Sequence, residues 1–332
     1  MTTRTLPHIE METTPCVLCQ IEARQTLGDI RLDGQLLGRM VQCEGCGLRF
    51  LSPRPTQRQR EWLYEQEYDS ALSGEHGGTR FEVVHDDQEQ ARTRFSRYLD
   101  RLEPAQGARS RLLDVGAGTG QLLELAQGRG WDVHAVERSE DACQYLRERL
   151  GEAAVVGHDL AELQDRGERY DAVIMAHVTE HLPDPLTALA EVRRLLAPAG
   201  RLLVAVPNEA SLYERLWQVR QRWRGTSAAN PYVTISWQDG RWQRAPGRLD
   251  EQGLVEFQIL TTEHLYFFTR ATLRRMLGRA GFSRIRWASG SVLPANTRLG
   301  RLLRNDLVNR ALFPMGLQGE LVAVAGKGAA EV

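Results

Sequence analysis

The sequence predicts an α/β protein, a doubly wound and mostly parallel sheet preceded by a small metal-binding ribbon. Two observations carry that expectation. Between residues 111 and 208, short apolar strand-like runs alternate with segments of helical periodicity, the pattern of a parallel sheet covered by crossover helices. Ahead of them, four of the five cysteines fall in two Cys-x-x-Cys pairs, which in a reducing compartment read as metal ligands before disulfides. Composition agrees with both. A chain of 332 residues, 42% hydrophobic and 26% charged with net charge −1, has the profile of a globular protein of about two domains. No apolar run approaches the roughly 18 residues that span a bilayer. The first fifteen residues lack the apolar core of a secretory signal, so the expected location is the cytoplasm.

The ribbon is expected over residues 1–55. Its pairs are Cys16-Val17-Leu18-Cys19 and Cys43-Glu44-Gly45-Cys46, with 23 residues between them. A Cys-x-x-Cys turn aims two thiolates at one point, and two such turns complete the closed tetrahedral cage of structural Zn²⁺. Cys16, Cys19, Cys43 and Cys46 leave no open position, so this ion would hold structure and carry no catalysis. Gly45 and Gly47 allow the tight second knuckle, while Gly28, Asp33-Gly34 and Gly38 punctuate segments suited to a β-ribbon. With little core of its own, such a module should unfold without metal. The remaining cysteine, Cys143, lies on a predicted helix and reads as a small buried apolar residue. Residues 56–106 form a helical bridge in which Ala91, Phe95, Tyr98 and Leu102 recur at helical spacing. Glu103-Pro104 stops it.

The chemistry begins at a strand, Arg111–Val115, that runs into Gly116-Ala117-Gly118-Thr119-Gly120 and then a helix over 121–126. Strand, glycine turn and helix bring backbone close to a ligand at the carboxyl edge of a parallel sheet. A second strand, Asp132–Val136, is followed by Glu137, nineteen positions after Gly118. A carboxylate there can accept both ribose hydroxyls of an adenosine. The dinucleotide fingerprint G-x-G-x-x-G fails, because its third glycine would fall at Gln121.

The spacing that does occur, Asp114-Val115-Gly116-Ala117-Gly118-Thr119-Gly120, resembles the first motif, [DE]-x-G-x-G-x-G, of the class I S-adenosylmethionine-dependent methyltransferases. Later segments continue in register with that family over roughly residues 105–210 and 260–326. Residues 155–160 look like the third strand with Asp159 and Leu160 meeting the adenine. Residues 170–177 look like the fourth strand, with Ala176 and His177 under the reacting methyl. Glu180-His181-Leu182-Pro183-Asp184-Pro185 matches the E-H-[LV]-x-[DN]-P turn, and residues 195–208 match the fifth strand. Segments 284–288 and 320–325 would supply the closing antiparallel pair. With the ribbon, the whole resembles the zinc-ribbon sugar and natural-product methyltransferases, which implies a Rossmann-like methyltransferase sheet over 107–332 and S-adenosyl-L-methionine as cofactor.

Local chemistry supports the placement. Asp184 can cap a helix with Pro185 in its first turn, with Leu186, Leu189, Ala190, Val192 and Leu196 on its apolar face. Leu273, Met276, Leu277 and Ala280 mark another, ended by Gly281. Methyl transfer from a sulfonium mainly requires in-line alignment, and a carbon or hydroxyl nucleophile also needs a base near neutral pH. His181, oriented by Glu180, is the first candidate, and His264 the second. In some quinone-pathway O-methyltransferases an E-x-x-E-H segment binds a divalent ion. Here His177, Glu180 and His181 would share one face only if that segment were helical. An insertion at about 211–262 carries Leu212, Leu216, Val219 and Trp223 at helical spacing, with Arg215, Arg220, Arg222 and Arg224 around them. Trp237, Arg241, Trp242, Arg244 and Arg248 follow. It reads either as a substrate lid offering guanidinium groups to an anionic small molecule or as an amphipathic helix with arginines in water.

Net neutrality hides an asymmetry. Residues 1–199 hold 23 basic and 33 acidic groups, while residues 200–332 hold 19 and 10. Of all the basic residues only Lys327 is lysine. The expected partner is therefore an anionic small molecule, with RNA behind it. A third reading is a cofactor-binding scaffold without turnover. Oxygen, nitrogen and carbon acceptors all stay open.

Overall fold

A computed structural model describes residues 9–32, 35–60, 88–102, 110–212, 215–216, 235–238, 241–244, 264–290, 308 and 311–328. They fall into two compact units, each drawn from segments far apart in sequence. The first uses the spans 1–83, 208–272 and 291–319; the second uses 84–207, 273–290 and 320–332.

In the first unit, β1 (Met11–Glu12) pairs antiparallel with β5 (Arg54–Pro55). The ribbon proper is β2 (Arg24–Leu32) and β3 (Gln35–Cys43), antiparallel, with register shifts at Thr26/Gly28 and Ile30/Arg31. The glycine at 28 marks the first of these, as expected where an extra residue must fit in a strand. The short β4 (Arg49–Leu51) continues the sheet beside β3. Three further strands come from the expected insertion and the segment after it: β11 (Ile235–Gln238), β12 (Arg241–Arg244) and β13 (Tyr266–Phe267). The sheet order is β12-β11-β2-β3-β4-β13. Part of the insertion thus extends the ribbon's own sheet, with Trp237 opposite Trp242 in a hairpin. The core that results is larger than a ribbon alone offers, with Leu18, Met40, Leu48, Leu51 and Leu265 all fully buried. Phe50 stacks on Tyr266 at 6.5 Å. Val219, Arg220, Arg222, Trp223, Arg224 and Arg248 lie outside the described residues, as does most of the bridge.

The second unit is the doubly wound sheet. Its strands are β6 (Arg111–Val115), β7 (Asp132–Val136), β8 (Val155–Gly157), β9 (Tyr170–Ala176), β10 (Leu196–Pro207), β14 (Phe282–Gly290) and β15 (Glu320–Lys327). They run in the order β14-β15-β10-β9-β6-β7-β8. The five from β6 to β10 are parallel, and β15 enters antiparallel between β10 and β14. The expected closing pair is therefore present. Helices α1 (Gln88–Leu99), α2 (Gln121–Gln127), α3 (Glu140–Leu150), α4 (Pro185–Leu195) and α5 (Arg270–Arg279) accompany the sheet. The end of α1 and the turn after it bury Tyr98, Leu99 and Leu102 in a core that includes Leu112, Leu123 and Ile174. Asp184 caps α4, its carboxylate accepting from the Leu186 and Thr187 amides. The buried face of α4 is Pro185, Ala188, Leu189, Val192 and Leu195. It lies rotated from the expected one, because Leu196 has already entered β10.

Candidate active site

The carboxyl ends of β6, β7, β8 and β9 lie in register at one edge of the sheet, since Val115 pairs with Val136 and Val136 with Gly157. Every residue that follows such a strand is presented there. That edge collects most of the expected cofactor residues of the second unit.

The glycine turn needs its glycines for two separate reasons. Gly116, Gly118 and Gly120 all have positive φ, at 74°, 54° and 74°, which residues with a Cβ rarely adopt. Close approach adds a second reason at the ends. A Cβ on Gly116 would sit 2.6 Å from Cγ2 of Val178, and one on Gly120 would sit 2.4 Å from Cδ2 of Leu146. At Gly118 nothing lies within 4 Å among the described residues, so the middle of the turn faces open space. Ala117 packs partly against the core. Thr119 lines a cavity of about 240 Å³ with Arg92, Tyr145 and Arg149.

Glu137 is held ready. Its Oε2 accepts from the Gly118 amide at 2.8 Å and its Oε1 from the Ser139 amide at 3.0 Å. Cys143, fully buried on α3, donates its thiol to the Glu137 carbonyl at 3.2 Å, and His158 Nδ1 lies 3.1 Å from the same oxygen. Cys143 therefore packs as expected and also fixes the Glu137 backbone. Behind the turn, Asp114 is buried, and burial together with the Glu137 charge pushes its carboxyl up to about 8. Two acids thus face a turn lined with backbone amides, a combination that a ligand carrying positive charge would relieve. Asp159 accepts from the Ala161 amide at 2.9 Å and starts a short helical turn, with Leu160 buried behind it.

The segment from His177 to His181 is a turn, not a helix. His177 has φ 57°, which ends the extended run of β9 at Ala176 without starting a helix, so the one-face geometry does not form. Both ring nitrogens of His177 meet carboxylates. Nε2 is 2.9 Å from Oε1 of Glu320, and Nδ1 is 3.4 Å from Oε1 of Glu180. Both glutamates are fully buried, whereas His177 keeps 26% of its side chain exposed. The Tyr98 hydroxyl donates a short hydrogen bond to the same Glu320 oxygen. Burial opposes charge on the ring, but Glu180 and Glu320 outweigh it and hold His177 up at about 9. Tyr98 is pushed well above its ordinary value by burial and by Glu320. His181 is half-buried in the same turn, its amide donating to the Val178 carbonyl at 2.9 Å. His264 belongs to the first unit, where its ring meets Phe267 edge-on at 6.3 Å.

Three participants were not singled out by sequence as functional: Tyr98, Glu320 and Arg94. Arg94 lies on α1, which packs on α2. Its guanidinium covers the Phe95 ring at 5.1 Å, and its buried Nε has no hydrogen-bond partner among the described residues. A glutamate opening a run of apolar strand residues was the available signal for Glu320.

In the first unit the four cysteines converge, their Sγ atoms all lying within 4.8 Å of one another. Cys16 and Cys46 approach to 3.5 Å. The knuckles close through the Cys19 amide on the Cys16 carbonyl and the Gly47 amide on the Cys43 carbonyl. Burial pushes the Cys16 thiol up, and burial with Cys46 and Cys43 pushes Cys19 up to about 11. Four sulfurs crowded this closely fit a tetrahedral thiolate-binding ion.

The chain is similar to known methyltransferases. A family model described as a methyltransferase domain matches residues 88–286. The ubiquinone biosynthesis O-methyltransferase of Cereibacter sphaeroides is 32% identical over 156 residues, 44% of this chain and 62% of that protein. An uncharacterized methyltransferase of Mycobacterium tuberculosis is 38% identical over 104 residues, 31% of this chain and 42% of that one. The chain thus spans about half the length of the curated relatives it matches. Among solved structures, the 1,6-didemethyltoxoflavin-N1-methyltransferase of Burkholderia thailandensis aligns over 91% of this chain and all of its own, at 18% identity and a TM-score of 0.47.

Proposed function

The chain belongs to the class I S-adenosylmethionine-dependent methyltransferase family, and on that footing we propose that it methylates a small-molecule acceptor. The observation that carries this reading is the pairing of buried Asp114 with Glu137 around the glycine turn. The cofactor supplies an activated methyl group on a cationic sulfur. Glu137 would take the ribose hydroxyls, Asp159 and Leu160 the adenine side, and Gly116, Gly118 and Gly120 the methionine portion. Arg94, on the helix that packs on α2, would offer its carboxylate a guanidinium. Ala176 and His177 would lie beneath the methyl. The acceptor then attacks in line, and a histidine among His177, His181 and His264 takes its proton.

A hydroxyl acceptor is supported by the name of the Cereibacter relative; a nucleotide-linked sugar or natural-product intermediate is supported by the ribbon. The arginine-rich half of the chain favours an anionic handle. Zn²⁺ on Cys16, Cys19, Cys43 and Cys46 would be structural. RNA is the alternative acceptor, and a scaffold without turnover the third reading.

The deciding experiment offers labelled S-adenosylmethionine with fractionated metabolite and RNA extracts. Label in a low-molecular-weight fraction supports the proposal. Label in RNase-sensitive material with steep salt dependence replaces it by the RNA reading. Cofactor binding with no label anywhere replaces it by the scaffold.

A further inference from the structure

We propose that His177 takes the acceptor's proton on Nδ1, and that Glu320, locked by Tyr98, is the positioning residue that fixes its tautomer. The inference rests on the methyl-transfer reading and deepens it. A carboxylate can only accept hydrogen bonds. Carboxylates face both ring nitrogens, but Glu320 Oε1, which also takes the Tyr98 hydroxyl, lies 2.9 Å from Nε2 whereas Glu180 Oε1 lies 3.4 Å from Nδ1, so the one hydrogen of the neutral ring goes to the shorter contact at Nε2 and the lone pair falls on Nδ1. Glu180 Oε1 lies 3.4 Å from Nδ1, where it stabilises the ring once that nitrogen is protonated. The three partners are at most 2% exposed, and His177 is the member that keeps exposed surface, at 26%. Among the described residues, the chain of groups therefore opens to solvent through the imidazole.

The backbone supports a functional role. A non-glycine residue at φ 57° is strained and persists only where its surroundings over-determine it. Here the His177 amide donates to the Ala205 carbonyl at 2.8 Å while the ring is gripped from β15 and from its own turn. In the reaction, a bond forms between the acceptor atom and the methyl carbon, and the carbon–sulfur bond breaks with its electron pair left on sulfur. The acceptor's proton passes to Nδ1. The charge lost at sulfur reappears on an imidazolium between two carboxylates, with Tyr98 and, beyond it, Arg94 as the facing groups on α1. Since the free ring titrates at about 9, the rate constant kcat/KM should climb with pH toward that value.

The test uses the full chain in two arms. In ¹⁵N-histidine NMR without acceptor, His177 should show the Nε2–H tautomer above its midpoint. Glu320→Gln should lower that midpoint by at least one pH unit, and Tyr98→Phe by less. An Nδ1–H tautomer, or a midpoint unmoved by Glu320→Gln, overturns the proposal. In the second arm the labelled acceptor fraction serves as substrate. His177→Asn, whose side chain tolerates positive φ, should slow transfer by about 100-fold or more. Glu320→Gln should lower kcat about tenfold and move the pH profile while leaving cofactor affinity intact by calorimetry. Transfer by folded His177→Asn at the normal rate overturns the proposal. If the native protein labels nothing, the methyl-transfer reading fails on its own, and the NMR arm still decides whether Glu320 governs His177.

Discussion

The two units hold chemically active side chains in place by different means. In the second, each residue of the cofactor edge follows its strand directly, so position is set by a sheet whose core includes Leu112, Leu123 and Ile174. In the first, four cysteines meet between short turns, and the sheet around them is completed by strands from far along the chain, as where Ile235 pairs with Leu32. Order in the second unit comes from local packing, and in the first from long-range strand pairing around a cysteine cluster that an ion would close. The difference teaches that metal and cofactor sites in one chain can have separate stabilities.

The largest expected effect follows from that. Chelation, or Cys43→Ser, should unfold the first unit, because a structural zinc contributes on the order of 10 kcal/mol or more. Cofactor binding by the second unit should persist within a few fold. Metal analysis, circular dichroism and calorimetry on the same sample check it, and joint loss of metal and cofactor binding would break the comparison. Within the second unit, Gly116→Ala meets both a positive φ and Val178 at 2.6 Å, whereas Gly118→Ala meets only the φ. The first should destabilise by about 3 kcal/mol and the second by about 1, read from urea midpoints.

Asp114 sharpens the comparison through pH. Its folded value, raised to about 8, exceeds the ordinary carboxyl value of about 3.9. Its contribution to stability is therefore complete below about pH 4 and lost as the pH rises through about 8. The cationic cofactor favours the ionised form, so affinity should rise over the upper part of that window. Asp114→Asn should flatten both curves. The smallest effect is at the α3 cap, where the Ser139 hydroxyl accepts from the Ala142 amide; Ser139→Ala should cost about 1 kcal/mol in thermal unfolding.

The same contrast explains what was legible in the sequence. Strands β6 to β9, the glycine turn and Glu137 were readable because each rests on neighbours within a few residues or on period alone. The Tyr98–Glu320–His177 chain was not, since its members are 222 and 143 residues apart and meet only when β15 inserts beside β10. The hairpin at Trp237 and Trp242 was not legible, because its pairing partner, β2, lies in the ribbon. Leu196 was read on the α4 face, yet it opens β10, a boundary that periodicity does not define.

The most direct measurement is a calorimetric titration of the full chain with S-adenosylmethionine, for the native protein and for Glu137→Ala. One site per chain is expected, weakened at least tenfold by the substitution. Absence of binding, or equal affinity in the variant, would contradict the cofactor site described at the edge of the sheet.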